Sequence, residues 1–380
     1  MKTARLLFPI MLVLTAGCAT TLDRVAAVDP SADRSGDAAY PLDANACFVT
    51  GAGHTLAPNA LLRPGIEVVS TAGGLVLGFS RTPHDAVTIQ IDPSSAMATG
   101  SSSRHSSDRI RRVTPLDRGA DKFGAAIDAD CKSNPLQGSV TISAKEPFVV
   151  GMTDSDIAWA SCASETPRTL WHFTEGAVHD LRGIALADGG FALVFRQGGA
   201  VWFGRLDLEK TPVGPLKRIA ERSQVRAPVL AESGENVLVV WTEHASTQEN
   251  WSLGGVTVAP CGHTTPVHLG RPMAGTEGDA IQPSLAALND GRFLLVWTEG
   301  PAWTHQVRAV TIESHGHAVG PVLHVSSDTE SGWGRAALTA DGRGAVVYLV
   351  PTGSGFALAA TPISCPLASA RTTPVAATRL

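Results

Sequence analysis

Two glutamates in matching sequence contexts are the first candidates for chemistry. Glu243 and Glu299 each close a Trp-Thr-Glu triplet, at 241–243 and 297–299. Paired carboxylates can hydrolyse a glycosidic bond when one acts as acid and the other as base or nucleophile. Neither glutamate has an acid–base partner nearby in sequence, and copied segments repeat residues for structural reasons. The triplets therefore indicate duplication first and catalysis second.

One histidine pair has a spacing that suits a metal ion. His315 and His317 lie two residues apart, which on a strand places both rings on one face. The pair flanks Gly316, so a turn with two solvated histidines is the favoured interpretation. Phosphate-binding, nucleophile-elbow and zinc-protease motifs are absent from the sequence. We predict no metal site, no cofactor and no catalytic residue.

Three tryptophans are candidates for ligand contact. Trp251, Trp303 and Trp333 fall between the predicted strands or just before one. Exposed indoles suit flat apolar surfaces such as sugar rings, and aromatic side chains often anchor protein interfaces. The alternative is that they fill space between neighbouring structural units.

A repeated hairpin is the main structural signal. Gly73, Gly189, Gly291 and Gly342 each precede an aromatic residue by six positions, and Gly234 precedes Trp241 by seven. In each copy an apolar segment meets a glycine turn, which favours a tight hairpin. The run that follows, such as 293–297 (FLLVW), is apolar throughout, as expected of a strand buried on both faces.

The repeat resembles the four-stranded blades of β-propellers. Successive anchor aromatics are 46, 56 and 51 residues apart, from Phe195 to Tyr348. The gap from Phe79 to Phe195 spans two periods, so a degenerate blade is expected there, built from 148–154 and 156–162. This predicts an all-β propeller of about six blades, with tandem β-sandwiches as the alternative. Five or seven blades would also fit.

The first residues have the character of an export signal. Lys2 and Arg5 precede a nine-residue apolar core, 6–14, and the sequence Leu-Thr-Ala-Gly-Cys ends at Cys18. This pattern resembles the lipobox of bacterial lipoproteins. The resemblance implies cleavage before Cys18, acylation of Cys18 and membrane anchoring through lipid. With Ala19 next, it implies sorting to the outer membrane in a Gram-negative host.

Composition divides the rest of the chain. We expect a signal peptide at 1–17, a lipidated flexible tether at 18–45, a propeller at 46–365 and a loose tail at 366–380. The serine-rich stretch 94–107 is predicted to be a mobile loop between blades.

Five cysteines remain after Cys18 in an oxidising compartment, which allows two bridges and one further thiol. Cys131 and Cys162 are nearest in sequence, which favours one bridge. A second bridge between Cys47 and Cys365 would join the ends of a closed ring.

The charge and the fold restrict the function. A net charge of −5 without a basic block argues against nucleic acid as a partner. A rigid ring with variable loops suits a binding or scaffold module for an envelope protein or glycan. The alternative is a glycoside hydrolase or lyase that uses carboxylates at the mouth of the central channel.

Overall fold

The structure of the chain is a computed structural model. It describes residues 46–367 except 63–65, 72, 108–109, 111–112, 118–122, 128–135, 143–147, 154–155, 162–165, 175, 223, 245–249, 268, 270–277, 302–303 and 327–329. Cys18, Cys131, Cys162 and Trp303 lie outside these ranges. No helix able to cross a membrane occurs in the described part.

The described residues form β-strands and turns. In chain order the strands are β1 (Phe48–Val49), β2 (His54–Ala60), β3 (Ile66–Thr71), β4 (Gly74–Thr82), β5 (Asp85–Ile91), β6 (Ala98–His105), β7 (Val113–Asp117), β8 (Phe123–Ile127), β9 (Gln137–Ile142), β10 (Phe148–Met152), β11 (Asp156–Ser161), β12 (Arg168–His172), β13 (Val178–Ala185), β14 (Phe191–Gln197), β15 (Ala200–Leu206), β16 (Lys217–Glu221), β17 (Gln224–Ser233), β18 (Asn236–His244), β19 (Ser252–Val258), β20 (Thr264–Pro266), β21 (Asp279–Ala287), β22 (Phe293–Gly300), β23 (Gln306–Ile312), β24 (Ala318–His324), β25 (Gly332–Leu338), β26 (Arg343–Thr352) and β27 (Gly355–Ser364).

These strands form six antiparallel blades and one extra hairpin. Blades 1 to 5 are β3–β6, β9–β12, β13–β16, β17–β20 and β21–β24, and blade 6 is β25–β27 completed by β1 and β2. The hairpin β7–β8 follows blade 1. The β-propeller of about six four-stranded blades predicted from the repeat is therefore the fold.

The predicted hairpin forms the first two strands of a blade. Its second strand is buried on both faces: Leu294, Leu295, Val296 and Trp297 of β22 are each 0% exposed. The turn glycine has a positive φ in each of blades 3, 5 and 6, at Gly189, Gly291 and Gly342 (87°, 91° and 81°). Only a residue without Cβ adopts this conformation at little cost.

The blades are joined by apolar cores between them. Side chains of β3–β5 pack with those of β25–β27, which closes the ring between blade 6 and blade 1. Similar clusters join blades 2 and 3, blades 3 and 4, blades 4 and 5, and blades 5 and 6. From blade 2 round to blade 1, the innermost strand of each blade contacts that of the next, in the order β9, β13, β17, β21, β25 and β3.

The hairpin β7–β8 occupies the position of a reduced blade. Strand β7 packs against β3 and β4 of the preceding blade. Strand β17 packs in the same way against β13 and β14, and β21 against β17 and β18. The expected degenerate region therefore contains a complete blade 2, with β10 and β11 at its middle, and a two-stranded unit that the repeat did not reveal.

Both ends of the described chain contribute to blade 6. Phe48 pairs with Ser364, and His54 to Ala60 pair with Ala360 to Phe356, so β1 and β2 together form one interrupted outer strand. The predicted Cys47–Cys365 disulfide is present, with the two Cα atoms 4.0 Å apart and 318 residues between them in sequence. The ring is thus closed by strand pairing and by a covalent bond.

The prediction of a mobile loop at 94–107 is wrong for most of this stretch. Residues 98–105 form β6, the outer strand of blade 1, which pairs with β5 from Asp85 to Ile91. The side chains of β6 are nearly all exposed. The serine content does not prevent strand formation, because the backbone is held by its ladder to a strongly apolar neighbour.

Candidate functional site

A β-bulge recurs at one end of the ring. The innermost strands of blades 3 to 6 each contain one non-glycine residue with positive φ: Asp180, Ala227, Gln282 and Trp333, at 55°, 48°, 56° and 56°. The pairing with the second strand shifts register at each of these positions. The bulges lie where the innermost strands begin, and we call this end of the ring the mouth. The opposite end, with the glycine turns, is the turn end.

Side chains of the preceding blade hold the bulges. The Gln282 amide donates to Thr242 Oγ1 at 3.2 Å, and the Trp333 amide donates to Thr298 Oγ1 at 3.1 Å. In blade 3 the arrangement changes: Asp180 Oδ2 accepts from the Ala227 amide at 3.3 Å and from Arg196 Nε at 3.1 Å. The threonine hydroxyl of each Trp-Thr-Glu triplet therefore accepts a hydrogen bond that connects two neighbouring blades.

The glutamates of the triplets have structural partners. Glu243 Oε2 accepts from Trp241 Nε1 at 2.7 Å and lies 3.4 Å from Arg222 Nε. Glu299 is 4% exposed, and its Oε2 is 3.5 Å from Arg308 Nε. Each carboxylate thus pairs with groups of its own blade or the adjoining strand connection, as copied structural residues do.

Trp251 lies in the connection between β18 and β19 of blade 4, but its backbone is hydrogen-bonded to blade 5. Its amide donates to Asp279 Oδ1 at 3.0 Å, and its carbonyl accepts from the Ala280 amide at 2.8 Å. The indole stacks on the His244 ring, with centroids 4.7 Å apart and an interplanar angle of 18°. Arg226 lies with its Cζ 4.5 Å from the indole centroid.

Of the other two candidate tryptophans, Trp333 does not join Trp251 in one patch. Trp333 is the left-handed residue of blade 6, is half-buried, and packs against Phe356 with ring centroids 5.9 Å apart. It belongs to the junction of blades 6 and 1, whereas Trp251 lies at the junction of blades 4 and 5. Trp303 is outside the described residues. Trp333 thus fills space between two neighbouring blades, which was the alternative interpretation of the three tryptophans.

An ion pair connects the innermost strands of blades 1 and 3. Arg182 Nη1 of β13 lies 3.4 Å from Glu67 Oε1 of β3, and both side chains are about one-third exposed. Blade 2 and the hairpin β7–β8 separate these strands along the ring. Three charged residues occupy the same position in their blades: each pairs with the residue that directly precedes the buried aromatic of the second strand. The pairs are Glu67 with Gly78, Arg182 with Val194, and Arg335 with Val347. Alignment of the repeats would have placed these charges at one level of the channel.

Two aspartate–histidine pairs were also missed from the sequence. His105 Nδ1 is 2.8 Å from Asp85 Oδ1, and His172 Nδ1 is 2.6 Å from Asp156 Oδ1, at matching ends of the third and fourth strands of blades 1 and 2. The hydrogen bond from His105, followed by that from Thr82, lowers the pKa of Asp85. These contacts fix the strand ends at the rim.

The remaining shifted carboxyl groups lie at the turn end. Hydrogen bonds from the Thr339 hydroxyl and then from Arg343 lower the pKa of Asp341 to about 2. Hydrogen bonds from Ser95 lower the pKa of Asp92. A general acid needs a raised carboxyl pKa, which is the opposite direction.

No metal-binding cluster of three or more His, Cys, Asp or Glu side chains occurs within the described ranges. His315 and His317 are both exposed in the turn between β23 and β24, around Gly316 with φ 85°. Their setting is the solvated turn expected from the glycine between them.

No family model and no curated protein matches the chain. Among solved structures, the chain is similar to Kuenenia stuttgartiensis hydrazine synthase at 11% identity and a TM-score of 0.47, over 82% of this chain and 98% of that one. It is similar to a Dyadobacter fermentans protein of unknown function at 13% identity and a TM-score of 0.45, over 83% and 100%. A Coprinopsis cinerea GH62 α-L-arabinofuranosidase catalytic domain aligns at 11% identity and a TM-score of 0.40, over 83% and 96%.

Proposed function

We propose that the protein is a lipid-anchored binding module of the bacterial outer membrane, and that its propeller recognises an envelope protein or glycan at the mouth. The observation that carries this proposal is the bulge repeated in four successive blades. Bulges redirect side chains, and they concentrate near functional sites. A non-glycine residue in the left-handed conformation carries about 1–3 kcal/mol of strain. Four such residues at equivalent positions indicate that this end of the ring has a functional geometry.

Binding is favoured over catalysis by the state of the repeated carboxylates. A glycosidase needs two carboxyl groups facing one bond, with one of them protonated. Glu243 holds an indole N–H and Glu299 is buried against Arg308. At the same end of the ring the ion pair between Glu67 and Arg182 offers charge and hydrogen-bonding groups suited to recognition.

The anchoring part of the proposal rests on the sequence 14–18, where Cys18 is the acylated residue and Ala19 directs the product to the outer membrane. Several acyl chains together retain a protein on a bilayer far longer than one chain. Replacing Cys18 by Ala is expected to move the protein from the membrane to the soluble fraction.

The test is a cross-linked pull-down from envelopes of the native host. We compare the wild-type full chain with Cys18→Ala, with Gln282→Ala at the mouth and with Gln90→Ala in blade 1. Blade 4 has Ala227 at the position equivalent to Gln282, so alanine is compatible with the bulge. A partner recovered with wild type and Gln90→Ala, and depleted with Gln282→Ala, supports binding at the mouth.

Equal recovery with the Gln282→Ala variant would contradict a site at the mouth. Release of oligosaccharides from envelope polysaccharides by the wild-type protein would contradict a purely binding role and favour the enzyme alternative. Retention of Cys18→Ala in the membrane fraction would contradict the lipid anchor.

A further inference from the structure

Arg226 is an exposed cation whose orientation is fixed at the mouth. Its guanidinium lies over the Trp251 ring, 4.5 Å from the centroid. Within the described ranges it forms no ion pair, unlike Arg182, Arg196 and Arg222 at the same end. A stacked guanidinium keeps its N–H donors in the plane of the fork, directed away from the indole.

The surface under Arg226 is rigid. Trp251 is fixed to β21 by two hydrogen bonds: its backbone N–H donates to Asp279, and its carbonyl accepts from the Ala280 amide. Its ring stacks on His244, which is 8% exposed. Because blade 5 supports a residue of blade 4, the stack spans the junction of the two blades. Little side-chain freedom remains to be lost when a ligand binds.

A polar acceptor lies in the same junction. Arg226 is the pairing partner of Thr242, and Thr242 Oγ1 accepts the Gln282 amide hydrogen at 3.2 Å. The side-chain Oε1 of Gln282 is buried and has no hydrogen-bond partner within the described residues. A buried acceptor without a donor is costly in free energy, so the polar groups of this junction are not all satisfied by the described residues.

The distribution of apolar side chains argues against a protein as the partner at this place. The exposed large hydrophobic residues of the described chain lie toward the turn end, in β1, in the turns after β5 and β15, and after β27: Phe48, Met97, Leu208, Val213 and Leu367. Protein interfaces are centred on buried apolar anchors. The junction of blades 4 and 5 instead offers a cation, an amide and an indole.

We propose that this junction binds a carboxylate of an acidic polysaccharide, a uronate, with Arg226 as its ion partner and Trp251 as the support of Arg226. This inference rests on the proposed binding function. Guanidinium and carboxylate match in a planar, two-bond geometry. A lysine at this position would keep the charge but would lose both the fork and the stack.

Titration calorimetry of the full chain with polygalacturonate, and with neutral dextran as the control sugar, tests the proposal. Polygalacturonate is expected to bind with an affinity that falls as salt rises, and dextran is not expected to bind. Arg226→Ala is expected to weaken binding at least tenfold, and Arg226→Lys to weaken it several-fold. Arg218→Ala, an exposed arginine of β16, is expected to leave binding within twofold of wild type.

Two outcomes overturn the uronate inference. One is equal affinity of wild type and Arg226→Ala for polygalacturonate; the other is the absence of polysaccharide binding. If the pull-down then recovers a protein at the mouth, the proposed binding function stands and only its glycan assignment is lost. If the pull-down also fails for wild type, the proposed function falls with the inference. Thermal melts of the three variants, expected to match wild type, separate lost binding from lost folding.

Discussion

Thr242 and Thr298 show how one hydroxyl can connect two blades. Each follows a buried tryptophan, each is 2% exposed, and each accepts the backbone N–H of a left-handed residue in the next blade. The tryptophans differ: Trp241 donates to Glu243, whereas the N–H of Trp297 has no acceptor within the described residues. The feature common to both triplets is thus the threonine bond.

Replacing Thr298 by Val is expected to destabilise the fold by about 1–3 kcal/mol, because the half-buried Trp333 amide loses its acceptor while the side-chain volume is kept. Thr298→Ser keeps the acceptor and should lose less. Urea unfolding of both variants beside wild type gives the measurement. Equal stability of the valine and serine variants would refute the bond between blades.

At the scale of the strand hairpin, the turn glycines perform two different tasks. Gly234 has φ 62°, and a Cβ built there meets nothing nearer than 4.0 Å. Gly342 has φ 81°, and a Cβ there would lie 2.0 Å from the Cys365 carbonyl oxygen. The first position needs only backbone freedom, whereas the second also needs empty space beside the disulfide.

Gly342→Ala is therefore expected to destabilise the protein by about 1–3 kcal/mol more than Gly234→Ala, since overlap with backbone is added to the strain of positive φ. Thermal unfolding of the two variants gives the comparison. Similar losses for both would show that the chain near Cys365 moves aside without cost.

The hairpin was also the part of the structure that the sequence predicted best. Glycine-to-aromatic spacing located the first two strands of five blades, because turn chemistry and double burial are both local properties. The β7–β8 hairpin escaped, since its strands lack a long apolar run. The bulges, the Glu67–Arg182 pair and the support of Trp251 by blade 5 depend on residues far apart in sequence, which no local pattern reports.

At the scale of the whole ring, the disulfide joins two segments that already pair. Cys47 precedes β1 and Cys365 follows β27, and the Cys47 amide also donates to Thr311 Oγ1 of blade 5 at 2.9 Å. A cross-link across 318 residues removes much freedom from the unfolded chain. Its contribution adds to the strand ladder of blade 6.

Changing both Cys47 and Cys365 to Ser is expected to lower the free energy of unfolding by about 2–5 kcal/mol. Reductant should lower the stability of wild type to that of the double variant and leave the variant unchanged. Urea unfolding with and without reductant checks this. A double variant as stable as the oxidised wild type would show that strand pairing alone closes the ring.

The closure of blade 6 also sets the order in which the protein can be completed. Strands β1 and β2 are made first on the ribosome and β25 to β27 last, yet they share one sheet. During synthesis, β1 and β2 therefore remain unpaired while the intervening blades emerge and fold. The ring stays open until β27 has been synthesised. A chain that stops before β27 leaves β1 and β2 without the strand with which they pair.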